Sequence, residues 1–217
     1  LALSYPQVSH CQNNHIIFTD GSRLLYDDGR KKSFEELLNN ADIEDMFYFH
    51  YPRGKDSYNA PEKNYDPGRI RNEAFMKKIY GNSAALTRTK LTTIPFAHGK
   101  RIKVTTTNGI DQKLRAISKE LEALPLKYHK YYAQIGGTYN WRKIAGTNRL
   151  SSHSFGSAID LNVKYSAYWR WAKGVYRYQN KIPHKIVEIF EKYGFIWGGK
   201  WYHYDTMHFE YRPELLR

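Results

Sequence analysis

Cysteine is nearly missing from this chain of 217 residues: Cys11 stands alone, so no intrachain disulfide and no cysteine metal cluster can form. Acidic residues are also short, 21 against 34 Lys and Arg. The resulting net charge of +13 draws anionic partners through the summed field, whether nucleic acid, an anionic wall or an acidic membrane surface. Nowhere do the basic residues form a run of about five or more, which argues against a dedicated nucleic-acid arm. No apolar run approaches the roughly 18 residues that cross a bilayer. The opening LALSYPQ has neither the basic region nor the apolar core of a leader peptide. Internal repeats and low-complexity tracts are absent, so the chain is not a repeat array. What is present is a globular balance, 41% hydrophobic and 25% charged, and 19 tyrosines supply amphipathic aromatic surface. The length suffices for one domain with a real core, or one domain with a substantial N-terminal extension.

Residues 1–60 read as a separate layer of unknown role. HIIF (15–18) and RLLY (23–26), joined by Thr19-Asp20-Gly21-Ser22, predict a hairpin. Ser33 with Glu36 three residues on predicts a capping box that opens a short helix. The aromatic segment Asp42–Tyr51 is expected to pack on the main domain. PRGKDSYNAPEKNYDP (52–67) reads as a long loop and as the boundary, and residues 61–99 as a helix and connecting segment. Within the latter, Arg69–Tyr80 is expected to be helical, with Gly81 at its end. Residues 100–217 form the expected catalytic domain. Arg101–Thr107 reads as a strand. Ile110, Leu114, Ile117, Leu121 and Leu124 define an amphipathic helix closed by Pro125. Tyr131–Gly136 is expected to be a strand, and a last helix runs from near Pro183 to Gly194.

The chemistry concentrates in two stretches. If Ser157–Val163 is a strand, Ile159, Leu161 and Val163 share one face while Ala158, Asp160 and Asn162 share the other. In Met207–Arg212 the same alternation turns Met207, Phe209 and Tyr211 inward and His208, Glu210 and Arg212 to the opposite face. Two neighbouring strands then present Asp160 and His208 side by side. Catalytic zinc takes three protein ligands from imidazole and carboxylate and leaves one position open. His153, Asp160 and His208 meet that requirement, with Gly156 allowing the turn that folds His153 over Asp160. Asp205, three residues before His208, has the reach of a general base. Each of these residues also has a plain structural reading as a surface histidine, a cap or an ion pair.

Ser151-x-His153-x-x-Gly156-x-Ala158-x-Asp160, followed by Asp205-x-x-His208, resembles the two signature motifs of the M15 zinc peptidases, the group of D-alanyl-D-alanine carboxypeptidases, dipeptidases and L-alanyl-D-glutamate endolysins. The resemblance covers about residues 100–217, with Gly137–Arg142 and Trp197–Trp201 also similar to family segments. It implies His153, Asp160 and His208 as ligands of one Zn2+ per chain and Asp205 as the base. Arg142 matches an arginine that lies near the substrate, where a guanidinium polarises a carbonyl or holds a carboxylate; the alternative is a structural ion pair. Ser151 either binds substrate or shapes the turn. Glu210 is placed to orient a ligand, and His203 reads as an exposed loop histidine, with a contact to a metal ligand or to substrate as the alternative. His50 and His98 lie outside the motifs.

The fold expected is α+β, a small antiparallel sheet with flanking helices around a mononuclear zinc site, as in M15/hedgehog-like peptidases. The expected activity is hydrolysis of an amide bond in peptidoglycan stem peptides, foremost as a D-alanyl-D-alanine carboxypeptidase. The alternatives are an L-alanyl-D-glutamate endopeptidase and a non-catalytic zinc-containing wall-binding module. That substrate implies a periplasmic, cell-envelope or secreted protein. No nucleic acid, transmembrane segment or protein partner is expected.

Overall fold

The computed structural model of the chain describes residues 1–54 and 59–217. The expected hairpin forms, joined by a strand that sequence reasoning missed: β1 (Val8–Gln12), β2 (His15–Phe18) and β3 (Arg23–Leu25) make an antiparallel sheet in that order. Ser33 and Glu36 close the capping box at the start of α1 (Phe34–Asn39), the Ser33 side chain accepting from Glu36 N and the Glu36 side chain from Ser33 N. Among the described residues of 52–67 there is neither helix nor strand, as expected of a loop; residues 55–58 of it lie outside the described residues.

The helix expected from Arg69 begins later. Asn72 caps α2 (Glu73–Tyr80) by accepting from Phe75 N at 2.7 Å, while Arg69 sits in a turn closed by its N–H donating to Asp66 O at 3.1 Å and Arg71 precedes the helix, both pointing their guanidinium groups at buried carboxylates. A short α3 (Ala84–Thr89) leads to β4 (Leu91–Phe96), which pairs antiparallel with β5 (Lys100–Thr105). Strand β4 escaped notice because its Thr pair and Pro95 break the apolar pattern. The helix α4 (Ile110–Glu122) buries Ile110, Leu114, Ile117 and Leu121, the residues picked out by their spacing. The expected strand 131–136 is absent. Instead Leu126–Tyr131 is a 3-10 helix, and the buried Tyr132 spends its hydroxyl on Leu121 O at 2.7 Å, so tertiary packing overrides the β propensity of the tyrosines.

The second half is built on a three-stranded antiparallel sheet of β6 (Ala158–Asp160), β7 (Phe195–Trp197) and β8 (His208–Tyr211), in the order β6-β8-β7. Strand β6 is shorter than expected. Asn162 leaves the sheet to cap a 3-10 turn (163–165), and Val163 ends 42% exposed instead of facing inward. The last helix, α5 (His184–Lys192), packs on β7, and Phe190 stacks on Phe209 with ring centroids 4.0 Å apart. Its four buried apolar residues, Ile186, Val187, Ile189 and Phe190, lie on one face as the spacing predicts.

Mixed α and β structure with small antiparallel sheets is therefore observed. One continuous core runs through it, in which Tyr5, Val8, Ile16, Phe18, Ile43 and Met46 from the first layer join Phe75, Ile94, Leu114, Ile159 and Phe209. No helix among the described residues is long and apolar enough to cross a membrane. Asn72 ties the layers together: besides capping α2 it donates through Nδ2 to Ala41 O at 2.8 Å. Asn72→Ala removes both bonds and is expected to lower stability by about 1–2 kcal/mol in denaturant unfolding. A loss within about 0.3 kcal/mol would mean that water replaces both.

Candidate metal centre

Three elements bring the site together. Ser151 caps a 3-10 turn, Ser152–Phe155, by accepting from His153 N at 3.3 Å. That turn carries His153 and ends at Gly156, whose φ is +66°. A Cβ there would stand 2.7 Å from Leu91 Cδ2 and 3.0 Å from Thr105 N, so only glycine lets the turn lie against β5. Strands β6 and β8 pair with Asp160 directly opposite His208, the neighbouring placement expected from their alternation.

The three side chains converge on one point. Asp160 Oδ1 lies 2.9 Å from His208 Nδ1 and 3.2 Å from His153 Nε2, and the two nitrogens are 3.2 Å apart. In a tetrahedral zinc site with bonds of about 2.0–2.1 Å, ligand atoms stand roughly 3.3 Å from one another, close to this triangle. The remaining ring nitrogens assign the tautomers. His153 Nδ1 meets the Thr138 carbonyl at 2.5 Å and His208 Nε2 meets Glu210 Oε2 at 2.9 Å, and both acceptors require an N–H. Neutral rings then turn two bare lone pairs toward each other and toward a carboxylate oxygen. Only a shared cation, or an added proton, relieves that arrangement, so the residues fit a metal ion.

The surrounding charges favour positive charge at this point. Burial works against ionisation of His208, yet the bonds to Asp160 and Glu210 outweigh it and push its pKa up to about 10. Burial likewise opposes the Asp160 carboxylate, but the charges and hydrogen bonds of His153 and His208 hold it below the usual range. Glu210, almost fully buried, is kept ionised against desolvation first by Arg71, whose Nε donates at 3.0 Å, then by His208; Arg212 Nη1 adds a longer contact at 3.4 Å.

Residues 145–211 match the family model described as D-alanyl-D-alanine carboxypeptidase, of the M15 peptidases. That match spans 145–211 alone and supports an M15-type peptidase in this part of the chain. No curated protein matches the chain. The matched stretch contains Ser151, His153, Asp160, Asp205 and His208, while Arg142 lies just before it.

Around the three side chains is a cavity of about 330 Å³, lined among others by Arg142, Ser151 and Asp205. Asp205 is positioned by its backbone, which donates to Gly198 O at 2.9 Å and accepts from His208 N at 3.1 Å. Its Oδ1 is buried with no hydrogen-bond partner. Burial, opposed by His208 and reinforced by Asp160, pushes this carboxyl up to about 6. An unsatisfied carboxylate oxygen at the wall of a polar cavity is an acceptor waiting for a proton donor. Arg142 is exposed and forms no ion pair among the described residues, contrary to the structural alternative; its backbone N and O are both held by Ser154 Oγ, at 3.0 and 2.9 Å. Ser151 Oγ serves the turn as an acceptor and also borders the cavity, so the two readings of this residue are compatible in one geometry.

His203 departs from its expected place. It is not an exposed loop histidine but is partly buried, with Nδ1 2.6 Å from Asp66 Oδ2. Sequence reasoning passed over Arg69, Arg71 and Arg149, all of which border the cavity. The only sequence signal for them was the Arg-x-Arg pair at 69 and 71 ahead of a helix. His50 and His98 do not border it.

Glu210→Gln keeps the shape but weakens the acceptor for His208 Nε2–H. Affinity for Zn2+, measured by competition with a chromophoric chelator, is expected to fall about 10- to 100-fold. His208→Ala is expected to lose tight binding altogether. Unchanged affinity in both variants would show that this triangle does not hold the metal.

Proposed function

We propose that this chain is a zinc-dependent peptidase of the M15 type that hydrolyses an amide bond in the peptide stem of peptidoglycan, acting as a D-alanyl-D-alanine carboxypeptidase. The observation that carries the reading is one conjunction: three donor atoms 2.9–3.2 Å apart, beside a cavity wall holding the unpartnered Oδ1 of Asp205. A non-catalytic module has no need of the second element. His153, Asp160 and His208 would hold the zinc, and the ion when bound supplies Lewis-acid activation of water and of the scissile carbonyl.

The chain's own residues supply the rest. Asp205 accepts the proton of the attacking water through its free oxygen and returns it to the leaving amine. Its elevated pKa, caused by burial, makes it a stronger base than a solvated carboxylate while leaving it ionised at neutral pH. Arg142, uncommitted to any carboxylate of the described chain, offers its guanidinium to the carbonyl oxygen as charge develops there, or to the carboxylate of the substrate. Ser151 keeps its O–H as a donor while its oxygen receives His153 N. The net charge of +13 suits an anionic wall, and this substrate places the protein in the periplasm, in the cell envelope or outside the cell.

Digestion of purified stem peptides with mass analysis of the products tests the reading. D-alanine released in a chelator-sensitive manner is the expected result. Cleavage after the first L-alanine would reassign the chain to the endopeptidases, and no product from any stem would leave a binding module. Asp205→Ala is expected to retain one zinc and to lose about 10²- to 10⁴-fold in kcat. Because Asp205 must be ionised to accept a proton, wild-type activity is expected to fall as pH drops through about 6, and at a lower pH to the extent that the bound cation stabilises the carboxylate. Full activity in the alanine variant would remove Asp205 from the mechanism.

A further inference from the structure

The cavity around the metal-holding residues does not end there. A second cavity, of about 750 Å³, lies between α1, Arg170 and the turn 146–149. Arg69, Arg149, Trp169 and His203 line both, so the two are parts of one cleft. Its outer part is walled by the N-terminal layer and is not used by the reaction described above.

Three guanidinium groups meet near the junction, and they differ in one respect. Arg69 is committed to Asp66 at 2.5 Å and Arg71 to Glu210. Arg149 has no ion pair among the described residues, and its Nε is buried without a hydrogen-bond partner. Two acids line the outer part, Glu35 on α1 and Glu73 on α2; neither pairs with Arg149, and Glu73 is already engaged by Lys77 at 2.6 Å and by Leu150 N at 3.0 Å. The backbone of Arg149 is held on both sides, its N–H donating to Thr147 Oγ1 at 3.2 Å and its carbonyl accepting from Ile144 N at 2.9 Å. Burial and the charges of Arg71 and Arg69 press its pKa down to about 10, the mark of a cation short of anions. A partly desolvated, positioned and unpaired guanidinium is costly unless an anion completes it. Its planar fork matches a carboxylate. The outer part also offers the neutral amides of Asn39, Asn40 and Asn148 and the rings of Phe34 and Trp169, a lining suited to peptide backbone and side chains.

We propose that Arg149 is a carboxylate-binding subsite, and that the substrate is a peptide bearing a free carboxylate away from the scissile bond, seated against the wall made by α1 and the turn 146–149. The subsite deepens the function proposed above and rests on it. It also gives the N-terminal layer a task, that of closing the far side of the cleft.

A matched pair of stem peptides tests this, one with the carboxylate of its internal acidic residue free and the other with it amidated. The wild-type enzyme is expected to favour the free form by roughly tenfold or more in kcat/KM. Arg149→Gln is expected to abolish that preference through KM, with kcat for the amidated peptide retained. Arg149→Lys, which keeps the charge without the fork, guards against misfolding of the glutamine variant and is expected to fall between the two. Equal losses on both peptides, or no preference in the wild type, would overturn the subsite. Calorimetric binding of the same peptides to the chelator-treated protein separates the two proposals. Binding that prefers the free carboxylate through Arg149, without cleavage by the zinc-loaded protein, would sink the peptidase reading and keep the subsite. Cleavage indifferent to both the carboxylate and Arg149 would do the reverse.

Discussion

The bond from His208 Nε2–H to Glu210 Oε2 is the constraint on which the site depends. It sets the tautomer that frees Nδ1 to face Asp160 and His153. A carboxylate so deeply buried would ordinarily take up a proton, and it stays charged because Arg71 and Arg212 stand against it. Arg212 in turn is fully buried and reaches Glu214 and the Gly68 carbonyl, and Tyr5 donates to Glu214 at 2.7 Å. A polar chain therefore runs from Tyr5 to the triad of His153, Asp160 and His208 without leaving the interior. Removing one partner from such a network costs about 3–5 kcal/mol, since the remaining charge is stranded. The orientation of one imidazole is thus supported by both ends of the chain.

Backbone proximity provides what hydrogen bonds alone do not. Gly136 N donates to Asp160 O at 2.8 Å, and a Cβ on Gly136 would come within 3.3 Å of Asp160 Cβ and 2.8 Å of Val163 Cγ2. Gly156 makes the equivalent approach to β5 on the other side of the triad. Strand β6 has only three residues, too few to fix Asp160 by ladder bonds alone. Close packing at these two glycines confines it from both flanks.

Alternation along a strand carries much information, and the parts of the site built on it were legible. That Asp160 and His208 turn away from the apolar layer, and that Glu210 shares the side of His208, follow from a period of two; the register that sets Asp160 opposite His208 is seen only in the fold. The helix α4 was legible for the same kind of reason, with a 3.6-residue period sustained over three turns. Illegible features were those whose cause lies in another segment. Strand β4 carries Pro95 and two threonines, and pairs because β5 is beside it. The tyrosines at 131 and 132 looked like a strand until Leu121 O claimed one hydroxyl. Arg69, Arg71 and Arg149 come from two distant stretches, and nothing in either announces that they converge.

That convergence changes the meaning of the net charge. Spread along the sequence, 34 basic residues resemble a solvated surface. Folded, five of the arginines, at 69, 71, 142, 149 and 170, line one cleft. Two of them are neutralised by buried acids while Arg142 and Arg149 form no ion pair among the described residues, so the uncompensated positive charge of the cleft includes those two. A metal ion added to the triad raises that positive potential further. Neutral peptides gain little from such a cleft, and cationic ones are repelled by it. An anionic peptide gains twice, through its rate of capture and through the pairing of a guanidinium that the protein itself leaves unmatched.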